Sequence, residues 1–358
     1  FSVPVQISNY VPLPSPLPGS LFRVNNNPTA AVDDTNGDVY AAWSDYRNGN
    51  ADILSSRSSN GGSTWSLPAK VNDDATTNDQ FFPWMTVSQG TISLDFYDRR
   101  LDPSNHLIDV FVTQSTNGGA SFTPNLRVTA QSSNPDAVIF SGGQSFIGDY
   151  IGIASTSTTL FPAWTDLRNV GPGSSQNQDI FTATIQNHDI AVTLLIPSRS
   201  VVYEGVSTNP VILTATIENF GIYTETSVTV RFVSNGTLLG LATLTSISPG
   251  ARANVTINWD TNTLPKGGYV LSAEVFPLTG EVETSNNLYE GIIVEVRFPG
   301  DLDGDRDVDI VDIATIALAF DSVPGSLNWN PDADVDNDDS VTIVDVSMGA
   351  FNFGRIDP

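Results

Sequence analysis

The chain of 358 residues carries 40 acidic and 15 basic side chains, a formal net charge of −25, with 40% hydrophobic residues, 28 Gly, 22 Pro and no Cys. The length predicts two or three domains with real cores. The charge argues against nucleic-acid binding, which needs basic patches, and the missing Cys excludes disulfide and thiolate chemistry. No run of about eighteen apolar residues occurs, so no membrane span is expected. Gly, Pro, Val, Thr, Ile and Ser together point to a mainly β chain rich in turns. Phe1 is not preceded by a Met or a signal peptide, so the expectation is an N-terminus that is processed or cut from something longer.

Residues 1–187 carry an internal repeat. Trp43-Ser44-Asp45-Tyr46-Arg47 matches Phe96-Tyr97-Asp98-Arg99-Arg100 and Trp164-Thr165-Asp166-Leu167-Arg168, and each is followed by an Asp opening a strand, at Asp52, Asp109 and Asp179. After the first two come Ser58-Ser59-Asn60-Gly61-Gly62-Ser63-Thr64-Trp65 and Ser115-Thr116-Asn117-Gly118-Gly119-Ala120-Ser121-Phe122. These resemble the Asp-box of sialidase-type β-propellers, with Asn in place of Asp; the glycines permit a positive-φ turn and the polar side chain holds its backbone. The resemblance implies blades and says nothing of a reaction. Phe1–Ser8 aligns with the outer strands after each box, so the segment reads as about three blades plus one strand, short of the usual four to eight. Either blades lie upstream, or copies of the chain lend each other strands.

An enzyme of sialidase type would be a glycoside hydrolase needing an arginine cluster, a Tyr nucleophile with a Glu partner and an Asp acid/base. Glu is absent from residues 1–187. Phe22-Arg23-Val24 resembles the element that supplies a sialidase arginine, but Asn25-Asn26-Asn27 follows it. The repeated Asp45/Arg47, Asp98/Arg100 and Asp166/Arg168 read as structural ion pairs, because they recur at equivalent places. No catalytic residue is assigned. Whether the chain is an enzyme stays open, with the balance against it.

Residues 188–298 alternate apolar and polar positions between Gly, Pro and Asn turns. Strands are expected at 190–196, 211–217, 227–232, 253–259, 269–275 and 291–296, the number for an immunoglobulin-like β-sandwich. Glu218-Asn219-Phe220-Gly221 and Glu283-Thr284-Ser285-Asn286-Asn287 resemble CARDB-type adhesion modules, which implies a spacer or contact surface. Asn235-Gly236-Thr237 and Asn254-Val255-Thr256 are acceptor sequons, with glycosylation left open.

From Gly300 onward there are fourteen Asp, two Arg and neither Glu nor Lys, a net −12. A disordered acidic tail would be poor in apolar residues; this one interleaves Asp with Ile, Val and Ala. In 301–312, Asp301, Asp303, Asp305, Asp307, Asp309 and Asp312 occupy loop positions 1, 3, 5, 7, 9 and 12. Those are the positions from which an EF-hand-type loop draws oxygen ligands for Ca2+. The pattern returns 33 residues on, with Asp334, Asp336, Asp338, Ser340 and Asp345 at 1, 3, 5, 7 and 12. Each loop runs into an apolar stretch, 313–320 and 346–353, long enough for a short helix. Asp replaces the usual Glu at position 12, and no helix precedes either loop. In both respects residues 299–358 resemble a dockerin.

The dockerin resemblance implies a small α-helical module that binds two Ca2+ ions and docks on a cohesin-like β-sandwich. Recognition would centre on loop positions 10 and 11, which are Ile310, Val311, Ile343 and Val344. The alternative is that these four pack inside the protein and the module is only a clamp. The reading is of three segments, 1–187, 188–298 and 299–358, forming a secreted, cell-surface structural or adhesion protein. Its expected partners are a cohesin-like domain, copies of itself or glycans. The alternative is a dockerin-tethered glycan-binding protein or a sialidase-like hydrolase.

Overall fold

The computed structural model describes residues 3–137, 143, 145–169 and 178–356. The chain is mainly β. The first blade is an antiparallel meander of β1 (Thr29–Val32), β2 (Val39–Asp45), β3 (Asp52–Ser58) and β4 (Ala69–Lys70). The second repeats it with β5 (Gln80–Ser88), β6 (Thr91–Asp98), β7 (Asp109–Ser115) and β8 (Leu126–Arg127). Strands β2, β6 and β7 are buried along nearly their whole length, because their blades are covered on both faces. Buried on both sides, such strands lose the apolar–polar alternation of a one-sided sheet.

The third blade has β9 (Gly152–Ser155), β10 (Thr159–Asp166), β11 (Asp179–Thr182) and β12 (Ile185–Gln186). Here β11 and β12 share one register along β10, interrupted opposite Pro162, which has no N–H to give the ladder. Among the described residues no outer strand follows, and β10 leaves Phe161 exposed on its open face.

The N-terminus departs from expectation. Phe1 and Ser2 lie outside the described residues, and residues 3–8 join no ladder where an outer strand was expected. In the residues that follow, a proline at every second position from Pro12 to Pro18 removes the donors a ladder would need. The segment crosses the blade ends as a strap instead. Tyr46 N donates to the Val11 carbonyl (2.9 Å), and Asn26 Nδ2 to the Ser44 carbonyl (2.8 Å). Leu13, Leu17, Phe22 and Val24 are buried with Phe81, Phe82, Tyr97 and Trp164 in one cluster that spans all three blades.

The sandwich has sheets β13–β15–β18 and β14–β20–β19–β16–β17, formed by β13 (Ile190–Pro197), β14 (Val201–Tyr203), β15 (Val211–Asn219), β16 (Glu225–Ser234), β17 (Thr237–Ile247), β18 (Arg252–Trp259), β19 (Gly267–Val275) and β20 (Leu288–Arg297). All six expected strands are present; β14 and β17 were not foreseen. Phe232, Leu213, Val230 and Trp259 lie in the core between the sheets, and a fully buried side chain of this kind contributes about 2–3 kcal/mol. The Asn219-Phe220-Gly221 turn fixes the sandwich to the third blade. Buried Asn219 donates to the carbonyls of Tyr223 and Ile247, and a Cβ on Gly221 would stand 2.8 Å from the Asn187 carbonyl oxygen. Ile222 is buried with Ile153, Leu160 and Ile185 of that blade.

The C-terminal module has two helices, α1 (Ile310–Leu318) and α2 (Ile343–Asn352), with a single 3-10 turn at Pro331–Ala333. Its core is shared with the sandwich. Leu302, Ile316, Ala319, Val335 and Val341 are buried with Val201 and Tyr203 of β14. Among the described residues no helix is long and apolar enough to cross a membrane.

Candidate metal centre

Each loop is built by the carboxylate at its twelfth position. Asp312 Oδ2 accepts from Asp309 N (2.9 Å) while Asp309 accepts from Val311 N (2.6 Å), a capping box that starts α1. The other oxygen, Asp312 Oδ1, reaches back to Leu302 N (2.7 Å). Asp345 repeats this on Thr342 N (2.7 Å) and Val335 N (2.7 Å), with Thr342 as the N-cap of α2. The short Asp thus ties the helix start to the loop start. Positions 4 and 6 turn sharply through positive φ in both loops, at Gly304 (78°) and Arg306 (77°), then at Asn337 (58°) and Asp339 (66°). An EF-hand loop makes this turn with Gly at position 6.

The folded loops converge the expected carboxylates in part. Asp301, Asp303 and Asp312 offer oxygens within 4.8 Å of one another, as do Asp334, Asp336 and Asp345. Asp307 and Asp309 group with Asp312 in a further set that loop spacing did not foresee. Asp305, Asp338 and Ser340 lie outside these groups. Asp305 accepts from Asp307 N (2.9 Å), and Asp338 Oδ1 takes both Ser340 N (2.9 Å) and Ser340 Oγ (2.6 Å).

The second set is the more enclosed. Asp336 is 7% exposed, and its Oδ1 has no hydrogen-bond partner. Burial, reinforced by the charges of Asp345, Asp338 and Asp334, pushes its carboxyl up to about 6. Burial also raises Asp301 and Asp334, against the pull of Arg297 and Arg199 respectively. A buried, unpartnered oxygen among like charges is costly unless a cation joins it. An oxygen-only donor set of this kind suits a hard divalent ion.

Ile310 (65% exposed), Val311 (52%), Ile343 (64%) and Val344 (43%) all face outward in the first turns of α1 and α2. They do not pack inside the chain.

The blade aspartates show a different chemistry. Arg47 holds Asp45 through Nε (2.8 Å) and Nη2 (2.7 Å), and Trp43 Nε1 adds a third donor (3.1 Å). Asp98 with Arg100 repeats the clasp at 2.7–2.8 Å, and Asp166 with Arg168 at 2.6–2.9 Å. In the first box Asn60 Oδ1 accepts from Thr64 N (2.9 Å) and its amide donates to Thr64 Oγ1 (2.9 Å); Asn117 does the same with Ser121. The amide thus serves as both acceptor and donor, which a carboxylate could not. Arg23 pairs with Asp149 at 2.6 Å. One group escaped sequence reasoning. Asp95 is fully buried on β6 with neither oxygen partnered, where the other repeats have Ala42 and Ala163. Comparing the residues three before each clasped Asp would have found it. Of the two sequons, Asn235 is exposed in the β16–β17 turn, where its side chain bonds to Gly268 and Val270, and Asn254 accepts from Thr216 Oγ1 (2.9 Å).

Residues 189–290 match the CARDB family. A CARDB domain of Pyrococcus furiosus, solved in complex with di-metal ions, is 24% identical over 31% of this chain and 90% of its own, with a TM-score of 0.27. A domain of a Methanosarcina acetivorans protein, whose name proposes a cell-surface location, is 27% identical over 30% of this chain and 91% of its own, with a TM-score of 0.26. The α-L-arabinofuranosidase Arb93A of Fusarium graminearum, solved with an iminosugar inhibitor, is 13% identical over 74% of this chain and 80% of its own, with a TM-score of 0.35. No curated protein sequence matches the chain.

Proposed function

We propose that this is an extracellular, cell-surface structural or adhesion protein whose dockerin-like module binds two Ca2+ ions and makes calcium-dependent contacts through Ile310, Val311, Ile343 and Val344. The observation that carries the reading is the pairing of two features. Two loops converge acidic oxygens in the EF-hand order, and at positions 10 and 11 of each loop an apolar pair is left facing solvent. Ca2+ would be held by Asp301, Asp303 and Asp312 in one loop and by Asp334, Asp336 and Asp345 in the other. Its chemistry there is structural: it offsets the repulsion among the converging carboxylates and fixes the helix starts that present the apolar pairs.

The blades and sandwich serve as the body that carries this surface. The clasped aspartates and Asn-centred boxes support a structural role for the blades, since their polar groups are occupied by turns and ion pairs. The CARDB match supports the cell-surface setting. Light scattering on a sizing column, with calcium and then with chelator, tests the proposal. Calcium-dependent self-association, or calcium-dependent capture of a cohesin-like domain, is expected, and Ile310→Asp with Ile343→Asp should abolish it. A monomer in both conditions that binds no cohesin-like domain overturns it.

A further inference from the structure

The two loops meet the sandwich differently. Beside the first, Arg297 directs its hydrogen bonds to the Leu302 carbonyl (2.5 Å) and to Glu295 (2.6 Å), neither of which is a ligand carboxylate. Into the second, the segment joining β13 to β14 sends Arg199, 8% exposed. Its Nη2 pairs with Asp334 Oδ2, and its Nη1 donates to the Pro331 carbonyl (2.7 Å). Asp339 Oδ1 stands 3.4 Å from the same Nη2. Neighbouring sandwich residues hold the backbone of the loop. Thr208 donates through N (2.7 Å) and Oγ1 (2.9 Å) to the Asp336 carbonyl, and Asn337 Nδ2 returns a bond to the Asn209 carbonyl (2.7 Å). Tyr203 OH donates to the Asp332 carbonyl (2.6 Å).

We infer that Arg199 is a built-in cation of the second loop, which holds Asp334 in place, weakens that loop for calcium relative to the first, and keeps it docked on the sandwich when calcium is scarce. The inference rests on the calcium reading above. Its physical basis is charge counting. Of the three carboxylates that converge in the second loop, one is already neutralised by a buried guanidinium, so an entering divalent ion meets a fixed positive charge a few ångströms away. The first loop presents six Asp and no such clasp on its ligands. Arg suits the task better than Lys, because its fork engages Asp334 and the Pro331 carbonyl together. The unpartnered Asp336 Oδ1 shows that the second loop retains a place for a metal despite the arginine.

Calorimetric titration of the full chain with calcium, after chelator dialysis, should show two sites of unequal affinity. Arg199→Gln should tighten the weaker site by roughly tenfold, the order expected from removing one nearby, partly screened charge. Arg199→Lys, which keeps the charge, should leave that site weak. In chelator, hydrogen exchange should be slow at 334–339 and fast at 301–309 in the wild type, and Arg199→Gln should bring the two segments level. A weaker site that Arg199→Gln leaves unchanged or weakens further overturns the affinity claim. Exchange at 334–339 that does not respond to Arg199→Gln overturns the docking claim. If neither loop of the wild type binds calcium, the calcium reading fails, and the exchange measurement still decides whether Arg199 docks the loop.

Discussion

The blades and the C-terminal module both concentrate aspartate, and they treat it in opposite ways. In the blades each repeated Asp has its own Arg two residues on, so the charge is spent on a turn. In the module fourteen Asp face two Arg of its own, and oxygens are left without partners. The number of acidic residues is therefore a poor guide to where a cation is needed. What matters is whether the chain supplies its own counter-charge within hydrogen-bonding distance.

Calcium removal should expose this difference most strongly. A ligand bound only by the folded form stabilises it by about 4 kcal/mol per site at a thousandfold excess over its dissociation constant. Chelation should therefore lower the melting transition of residues after Phe298 and leave the blade transition unmoved, as differential scanning calorimetry would report. Equal shifts in both would mean that the blade aspartates also hold an ion. Next in size is the clasp itself. Asp98→Ala removes the buried carboxylate that holds Arg100 Nη2, leaving Arg100 its contacts with Asp73, Asp74 and Phe111, and should cost about 2 kcal/mol with or without calcium. Denaturant titration in both conditions checks it, and a calcium-dependent cost would contradict the structural role.

Much of this contrast was legible in the chain. The Asp/Arg repeat, the Asn-Gly-Gly boxes and the twelve-residue spacing each depend on a few residues close in sequence, and short-range chemistry fixes them. What escaped depends on partners far away. Val201-Val202-Tyr203 is too short to show any periodicity, yet it completes the module's core across about a hundred residues. Arg199 sits in an ordinary Pro-Ser-Arg-Ser turn, and nothing local marks it as the partner of Asp334. Strand β17 is an edge strand with Leu238 and Leu241 exposed, so no clean alternation announces it. The start of the strap was read as a strand because its Val and Ile positions mimic the outer strands, but with no blade strand beside it those positions have no ladder to join.

Asp95 is the exception within the blades, and it sharpens the comparison. Burial pushes its carboxyl well above the ordinary range, outweighing the nearby backbone N–H groups of Asp95 and Trp84. A raised folded-state value means that the folded form holds the proton after the unfolded form has lost it. Its contribution to stability is thus complete below about pH 4, the unfolded value, and is lost as pH rises above that towards the folded value. Asp95→Ala, the residue found at both equivalent positions, should flatten the pH dependence of the blade transition and stabilise it at neutral pH. A blade transition that keeps its slope in the variant would place the titrating group elsewhere.

The smallest expected effect lies at the sixth position of the loops. Arg306 and Asp339 both adopt positive φ, where a Cβ crowds the following carbonyl. Arg has no local hydrogen bond to offset that crowding, and Arg306 is exposed. Arg306→Gly should therefore stabilise the module by about 1 kcal/mol in saturating calcium. Asp tolerates this conformation better, and Asp339 also lies within reach of Arg199. Asp339→Gly should gain less than Arg306→Gly, or lose stability outright. Because both variants relieve the same backbone strain, the difference between them isolates what the sandwich adds to the second loop. Equal gains in the two loops would mean that the Asp339–Arg199 contact contributes nothing measurable, and would confine the role of Arg199 to Asp334 alone.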